Sequence, residues 1–296
     1  MVMEMERRAT TFIHLTDLHI QASATDRFFG LDTMAKLHEA LAFLRRHDLL
    51  PGAPIIISGD LVHDGARASY ARLRGAVEEL RDEGVTVLLG LGNHDDRVAF
   101  RAEMLGESAP DPMQGYYYRE MLGDVRLIML DPHIPGSAEG TIDDAQLDWL
   151  AAELATPAPG GTVVVIHHPP FPAALSSMHN LTNGDRLRAV IAGTDVCGIL
   201  AGHQHKMVIA IVAGVPCVAA PGTAFLLDGF KPDGYHFQDG AMFTVVTVRE
   251  GALELRPIAS PSAPEVAFRS WEEMRAAAAA HAVQAVTGSS TGRVKR

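Results

Sequence analysis

The chain has 296 residues, of which 47% are hydrophobic and 21% charged, a composition typical of a globular protein with one large α/β domain or a domain and a small appendage. Its 25 basic and 36 acidic residues leave a formal net charge of -11, which opposes tight nonspecific binding to a phosphate polymer, and no dense basic patch offsets that charge. We therefore expect no nucleic-acid polymer among the partners.

Residues 11 to 89 alternate between apolar strands and amphipathic helices. Strands are predicted at 11–15, 55–57 and 85–89, because each is a short, buried-type run rich in β-branched residues. One helix begins after Asp32 as its N-cap and ends before residue 51, and a second runs from about 69 to 83. This β-α-β-α-β order predicts parallel strands with right-handed crossovers.

The pattern changes after residue 95, where hairpins become frequent. Three hairpins are predicted, at 116–120 with 125–130, at 207–212 with 215–219 and at 241–248 with 252–255. Between them the sequence predicts a helix capped by Asp143, a strand at 162–166, a short helix at 186–191 and a strand at 196–200. Residues 222–240 read as a loop that closes over a site, and 271–286 as a helix before a polar end. Crossover units followed by hairpins predict an α/β sandwich of two mixed sheets with helices outside.

The sequence shows neither a recognisable targeting segment nor a cysteine pattern typical of a secreted protein. The first eight residues lack the apolar core of a signal peptide, and no uninterrupted apolar run approaches the ~20 residues that cross a bilayer. We therefore expect a cytoplasmic location and no membrane partner. Cys197 and Cys217 lie in apolar runs, where a thiol behaves as a small hydrophobe, although the sequence leaves a disulfide between them open.

Polar side chains follow five of the predicted strands. The apolar run Ile55–Ile57 continues into Ser58-Gly59-Asp60, which places a carboxylate at the carboxyl end of a strand, where α/β sheets bind ligands. An Asp after a Gly is by itself more typical of a turn or a helix cap. Four other strands end in the same way, with Asp17-Leu18-His19, Gly92-Asn93-His94-Asp95, His167-His168 and Gly202-His203-Gln204-His205.

These strand ends predict a metal centre. Carboxylate and imidazole donors suit iron, manganese or zinc. Asp-x-His and His-x-His are each common in surface loops, but repeated oxygen and nitrogen donors at one edge of a sheet are not expected by chance. Two ions ~3.5 to 4 Å apart need a bridging carboxylate. Asp60, with ligand sets on either side, fits that position.

These motifs, from residue 13 to 205 and in this order, resemble the calcineurin-like metallophosphoesterases. The Asp17-Leu18-His19-Ile20 start and the His167-His168-Pro169-Pro170 segment are similar to class III cyclic nucleotide phosphodiesterases and to the related glycerophosphodiester-type enzymes. The resemblance implies a four-layer α/β/β/α sandwich of two mixed sheets with a C-terminal helical tail. It assigns 9–258 to the metallophosphoesterase domain and 259–296 to a partly disordered extension.

The resemblance also implies a role for each motif residue. Asp17, His19 and His205 would hold the first metal ion, and Asn93, His167 and His203 the second, with Asp60 bridging. A hydroxide between the ions would attack the phosphorus, and His94 would assist the leaving oxygen. Asn93 and His94 would contact the substrate. His168 is expected on the opposite face, and His63 either lines the entrance or is a solvated loop residue.

The function implied is a two-metal hydrolase of small phosphodiesters, with 3',5'-cyclic nucleotides as the leading substrate class. A broad-specificity phosphodiesterase or a glycerophosphodiesterase is the alternative enzyme, and a non-catalytic scaffold with the same fold is the alternative of another class. Substrate choice is expected in the loops 21–30, 171–184 and 222–240. The resemblance further implies a homo-oligomer, a dimer, with residues 222–240 or the C-terminal segment available as its interface.

Overall fold

Two mixed β-sheets form the centre of the protein. The computed structural model describes residues 9–50, 52–171, 180–228, 236–259 and 272. The strands are β1 Thr10–Leu15, β2 Ile55–Ile57, β3 Val87–Leu89, β4 Tyr118–Leu122, β5 Val125–Met129, β6 Thr162–Val165, β7 Val196–Ala201, β8 Val208–Val212, β9 Val215–Ala219, β10 Leu226–Asp228, β11 His236–Gln238, β12 Met242–Arg249 and β13 Ala252–Ala259. The helices are α1 Thr33–Arg46, α2 Arg67–Asp82, α3 Arg97–Met104, α4 Asp144–Leu154 and α5 Gly184–Ile191.

The first sheet has the order β13-β12-β1-β2-β3. The predicted crossover units give parallel pairing, in which Ile13 lies beside Ile55 and Ile55 beside Val87. The hairpin of β12 and β13 returns from the end of the described domain and pairs with β1 in the antiparallel direction. The carboxyl ends of β1, β2 and β3 therefore lie side by side at one edge.

The second sheet has the order β4-β5-β6-β7-β9-β8. The hairpins β4–β5 and β8–β9 are antiparallel, while β5, β6, β7 and β9 run parallel to one another. Main-chain hydrogen bonds continue past the strand ends, since the Gly202 N–H donates to the His167 carbonyl at 3.0 Å. The loops after β6 and β7 are thus held next to each other.

Three apolar layers separate the four layers of structure. Phe12, Ile56 and Val246 of the first sheet pack against Leu127 and Val163 of the second. The other face of the first sheet packs against α1, α2 and α3, and the other face of the second sheet packs against α4 and α5. The predicted α/β/β/α sandwich of two mixed sheets is confirmed.

Several local predictions need correction. Helix α3 was not predicted, although Asp96 caps it by accepting from the Ala99 N–H at 2.7 Å. The stretch 222–240 is not a plain loop, because β10 and β11 pair within it. The disulfide that the sequence left open is not formed, because Cys197 and Cys217 are both free, in agreement with their expected role as small hydrophobes. No helix among the residues the structure describes is long and apolar enough to cross a membrane.

Part of the predictions lies outside the described residues. Contacts divide the chain into Met1–Pro261 and Ser262–Arg296, and of the second unit Glu272 alone is described. The helix expected at 271–286, the C-terminal tail and the boundary after residue 258 therefore stay predictions. Residues 172–179 and 229–235 of the loops expected to select the substrate also lie outside the described ranges.

Candidate metal centre

The two sheets bring their strand ends together at one edge of the sandwich. Asp17 follows β1 and accepts hydrogen bonds from the main-chain N–H of His203, which follows β7 of the other sheet, at 3.0 and 3.2 Å. The Thr223 N–H, after β9, donates to the Thr16 carbonyl at 2.9 Å. Loops that are far apart in sequence are thereby joined into one site.

The backbone is bent sharply at the predicted ligands. Asp17, His19, Asp60, His203 and His205 all have positive φ angles, between 46° and 68°. Side chains other than glycine rarely adopt this left-handed conformation, and each such residue costs about 1–3 kcal/mol. The positive φ angles turn each loop within one or two residues, so that Asp17 and His19, which follow an extended strand, both reach the centre.

Two glycines permit the close approach of these loops. A Cβ atom at Gly92 would lie 2.8 Å from Cδ2 of His167, and one at Gly202 would lie 2.6 Å from Oδ2 of Asp17. Both distances are far inside normal van der Waals contact. Any other residue would push the loops apart, which is the physical reason for glycine in the Gly-Asn-His-Asp and Gly-His-Gln-His motifs.

A first donor group consists of Asp17, His19, Asp60 and His205, all buried. Nε2 of His205 lies 3.1 Å from Oδ1 of Asp17, and Nε2 of His19 lies 3.2 Å from Nε2 of His205 and 3.6 Å from Oδ2 of Asp60. Ligand atoms ~2.0 to 2.2 Å from a shared metal ion are separated by ~3 to 3.6 Å. The group therefore has the spacing of a metal site.

A second donor group consists of Asp60, His167 and His203, again buried. Nε2 of His167 lies 3.3 Å from Oδ2 of Asp60. Next to it, Oδ1 of Asn93 is buried and has no hydrogen-bond partner among the described residues. A buried amide oxygen is costly without a partner, and a cation would satisfy it. Asp60 belongs to both groups, and the residues present fit two metal ions.

The carboxyl groups at the centre have pKa values below their usual range although they are buried. Burial alone would raise the pKa of Asp60, but the imidazoles of His167, His19 and His94 hold it well below its usual range. The pKa of Asp17 is likewise lowered against the effect of burial, chiefly by His205. For His167, burial lowers the pKa but the Asp60 carboxylate raises it to about 9. Two buried carboxyl groups surrounded by imidazole rings supply the oxygen and nitrogen donors that metal ions such as zinc, iron or manganese bind.

Asp95 holds the two central loops in place. Its buried carboxylate accepts from the main-chain N–H groups of Gly92 at 2.8 Å and Leu61 at 3.2 Å, and from the hydroxyl of Tyr70 at 2.9 Å. Gly92 precedes Asn93 and Leu61 follows Asp60, so one side chain fixes the loops after β2 and β3 together. Asp95 thus supports the loops that carry Asp60 and Asn93 without belonging to either donor group.

His94 and His63 lie together at the mouth of the centre. Nδ1–H of His94 donates to the main-chain carbonyl of His63 at 2.7 Å, and the main-chain N–H of His94 donates to Oδ1 of Asp60 at 2.9 Å. The ring of His94 meets His19 edge to face at 4.7 Å and stacks on His63 at 5.1 Å. His63 is therefore half-buried against the ring of His94, and its role at the entrance stays a prediction.

The sequence predicted that His168 points to the opposite face, but the structure places its ring next to the centre. Its ring lies 4.4 Å from that of His203, and its Nε2 donates to the carbonyl of Ala138 at 3.1 Å. Burial lowers its pKa well below the usual value. His168 belongs to neither donor group, and it supports the ring of His203 from behind.

A cavity of about 280 Å³ opens above the donor groups. His94 and Asn93 line it beside the predicted ligands, and their contact with the substrate stays a prediction. One wall is aromatic, formed by Phe28, Phe29, Phe225 and Phe237. Phe28 and Phe29 belong to the loop 21–30, in which substrate choice was expected. Phe225 and Phe237 were not singled out, although the aromatic content of residues 222–240 was the available signal.

Comparison with known proteins gives a consistent result. The chain is 38% identical over 243 residues to a "Probable cyclic nucleotide phosphodiesterase" of Rhodococcus erythropolis, covering 80% of this chain and 79% of that protein. It is 37% identical over 243 residues to a cAMP/cGMP dual specificity phosphodiesterase of Mycobacterium tuberculosis, covering 80% and 75%.

Among solved structures, GAP50, described as the anchor in the inner membrane complex of Plasmodium, has the same fold, with a TM-score of 0.57 at 13% identity, covering 88% of this chain and 87% of that one. The family model described as calcineurin-like phosphoesterase matches residues 10–207, the range that carries every strand-end motif of the centre. The chain belongs to the calcineurin-like phosphoesterase family.

Proposed function

We propose that the protein is a two-metal phosphodiesterase that hydrolyses 3',5'-cyclic nucleotides. The observation that carries the proposal is the place of Asp60, whose carboxylate belongs to both donor groups. A shared carboxylate is what holds two ions at the separation that phosphoryl transfer uses. Asp17, His19 and His205 would complete one site, and Asn93, His167 and His203 the other.

The residues above the centre suit a phosphodiester. When bound, two ions supply the Lewis acidity and the activated nucleophile that hydrolysis requires. Asn93 would bind a phosphoryl oxygen through its amide nitrogen. His94, whose Nδ1 is engaged by the His63 carbonyl, would present Nε2 to the departing oxygen. General acid assistance of this kind contributes typically ~10² to 10⁴-fold.

A small substrate agrees with the dimensions and charge of the site. The cavity of about 280 Å³ lies at the lower end of ligand pockets, which are ~300 to 1,000 Å³. The net charge of -11 disfavours a polymeric nucleic acid. The names of the two curated relatives support cyclic nucleotides as the substrate class. Iron, manganese and zinc all suit the donor set.

The proposal is tested on the purified protein by metal analysis and a substrate panel. We expect close to two metal ions per chain and turnover of cyclic AMP and cyclic GMP. Glycerophosphodiesters, phosphomonoesters and bis(p-nitrophenyl) phosphate complete the panel. Preference for a glycerophosphodiester would support the alternative enzyme. Two bound ions without turnover of any phosphoester would support the scaffold, and absence of metal after incubation with manganese, zinc and iron would refute the metal centre.

A further inference from the structure

The turn that carries Phe29 has an unfavourable sequence for its shape. The main-chain groups of Phe28 and Leu31 exchange hydrogen bonds of 3.0 and 2.8 Å, which closes a two-residue turn. The central residues Phe29 and Gly30 both have positive φ, 49° and 82°, as in a type I′ turn. Asparagine or glycine is favoured at the first of these positions, and a bulky aromatic side chain is strained there.

The side chain of Phe29 also lies largely in solvent. It is 57% exposed, and Phe237, whose ring is 4.2 Å away, is 49% exposed. Neither the exposure of these two rings nor the strained turn at Phe29 stabilises the fold. Strained positions and exposed apolar clusters that the surroundings maintain are typical of binding sites.

A continuous series of ring contacts joins this pair to the metal centre. Phe29 meets Phe225 edge to face at 6.0 Å, and Phe225 stacks on His205 at 4.0 Å with an angle of 12°. Both exposed rings line the same cavity as Asn93 and His94. A molecule with its phosphate at the centre would therefore extend its organic part along the aromatic wall.

We infer that Phe29 and Phe237 form a stacking platform that binds the planar base of the nucleotide whose phosphate lies at the metal centre. This inference rests on the proposed function and adds the residues that recognise the substrate. Beyond the metal centre, Asn93 and His94, the described lining of the cavity is apolar. Stacking on apolar rings accepts any planar base, because every base has a π-face. The platform therefore binds adenine and guanine about equally.

Equilibrium binding tests the platform without relying on turnover. AMP and ribose 5-phosphate differ in the base alone, and their affinities for the manganese-loaded protein are measured by calorimetry. We expect AMP to bind about 5- to 150-fold more tightly, as stacking of one base provides, and GMP to bind within a few-fold of AMP. Equal affinities for AMP and ribose 5-phosphate would overturn the platform and leave the proposed function intact. If neither compound binds, both the platform and the proposed function are overturned.

Two variants locate the effect. Phe29→Asn removes the ring and introduces a residue that tolerates the left-handed backbone, and Phe237→Ala removes the partner ring. Each should abolish most of the AMP preference and leave the affinity for ribose 5-phosphate unchanged, while Phe29→Trp should retain the preference. Met113→Ala is the control, since Met113 is 79% exposed and does not line the cavity. Retained AMP preference in both variants, with a lowered Tm, would make the cluster structural and contradict the proposal.

Discussion

Replacement of His94 separates the roles of acid, phosphate ligand and metal ligand. The ring is held at Nδ1 by the His63 carbonyl and by its contact with His19, so its orientation is fixed before substrate binds. A nitrogen of His94 also lies within 4.8 Å of nitrogens of His19 and His63, a third group that could hold a cation. The geometry is therefore compatible with His94 as a metal ligand, and the assay distinguishes that role from general acid catalysis.

The expected magnitude follows from the leaving group. General acid catalysis is worth ~10² to 10⁴-fold when the departing oxygen is an alkoxide, as in a cyclic nucleotide. Nitrophenolate departs without a proton. His94→Ala should therefore lower kcat/KM for cyclic AMP by ~100-fold or more, equivalent to ~2.7 kcal/mol of transition-state stabilisation, and by less than ~10-fold for bis(p-nitrophenyl) phosphate.

Steady-state kinetics on both substrates and metal analysis of the same preparation provide the test. Met113→Ala is the control, because Met113 is 79% exposed and does not line the cavity. It should retain both metals and most activity on both substrates. Equal losses on the two substrates in His94→Ala, with metals retained, would refute the acid and indicate phosphate binding. Loss of one metal would make His94 a ligand.

The other predictions concern metals, thiols and assembly. Asp60→Ala should lower the occupancy of both metal sites, whereas Asp17→Ala should empty one, as measured by mass spectrometric metal analysis; full occupancy of either site in Asp60→Ala would contradict bridging. Chelation should lower Tm by ~5 °C or more relative to protein with metal at 100 times Kd, where binding adds ~2.7 kcal/mol. Burial raises the pKa of Cys197 to about 11 and also raises that of Cys217, so a thiol reagent at pH 8 should label both far more slowly in the native protein than after unfolding; equal rates would contradict this. The dimer is checked by sedimentation at micromolar concentrations, and a monomer throughout would end that expectation.

The strand-end residues were predictable because their position follows from topology. Parallel strands place their carboxyl ends at one edge, so Asp17, Asp60 and Asn93 had to approach one another once β1, β2 and β3 were identified. The strands themselves were short β-branched runs between breakers, which periodicity detects. The convergence of His167 and His203 from the second sheet depended on the resemblance, since no local pattern shows how two sheets pack.

Other features depend on tertiary contacts that a local pattern does not contain. Helix α3 has eight residues, too few to be stable in isolation, and its stability comes from packing of Phe100 and Met104 against the core. His168 follows a predicted ligand and would alternate to the other face in a straight strand, but β6 has already ended at Val165. Without the strand, alternation no longer applies, and the ring reaches the back of His203.

Backbone strain links the metal centre to the stability of the fold. Five predicted ligands with positive φ, each costing about 1–3 kcal/mol, together approach the ~5–15 kcal/mol net stability of a whole domain. The surroundings must offset this cost. Asp95 contributes by fixing both central loops with hydrogen bonds to buried main-chain groups, and ions that bind the folded chain contribute their binding free energy. The same tight turns that aim the side chains at one point therefore make the fold depend on what binds there.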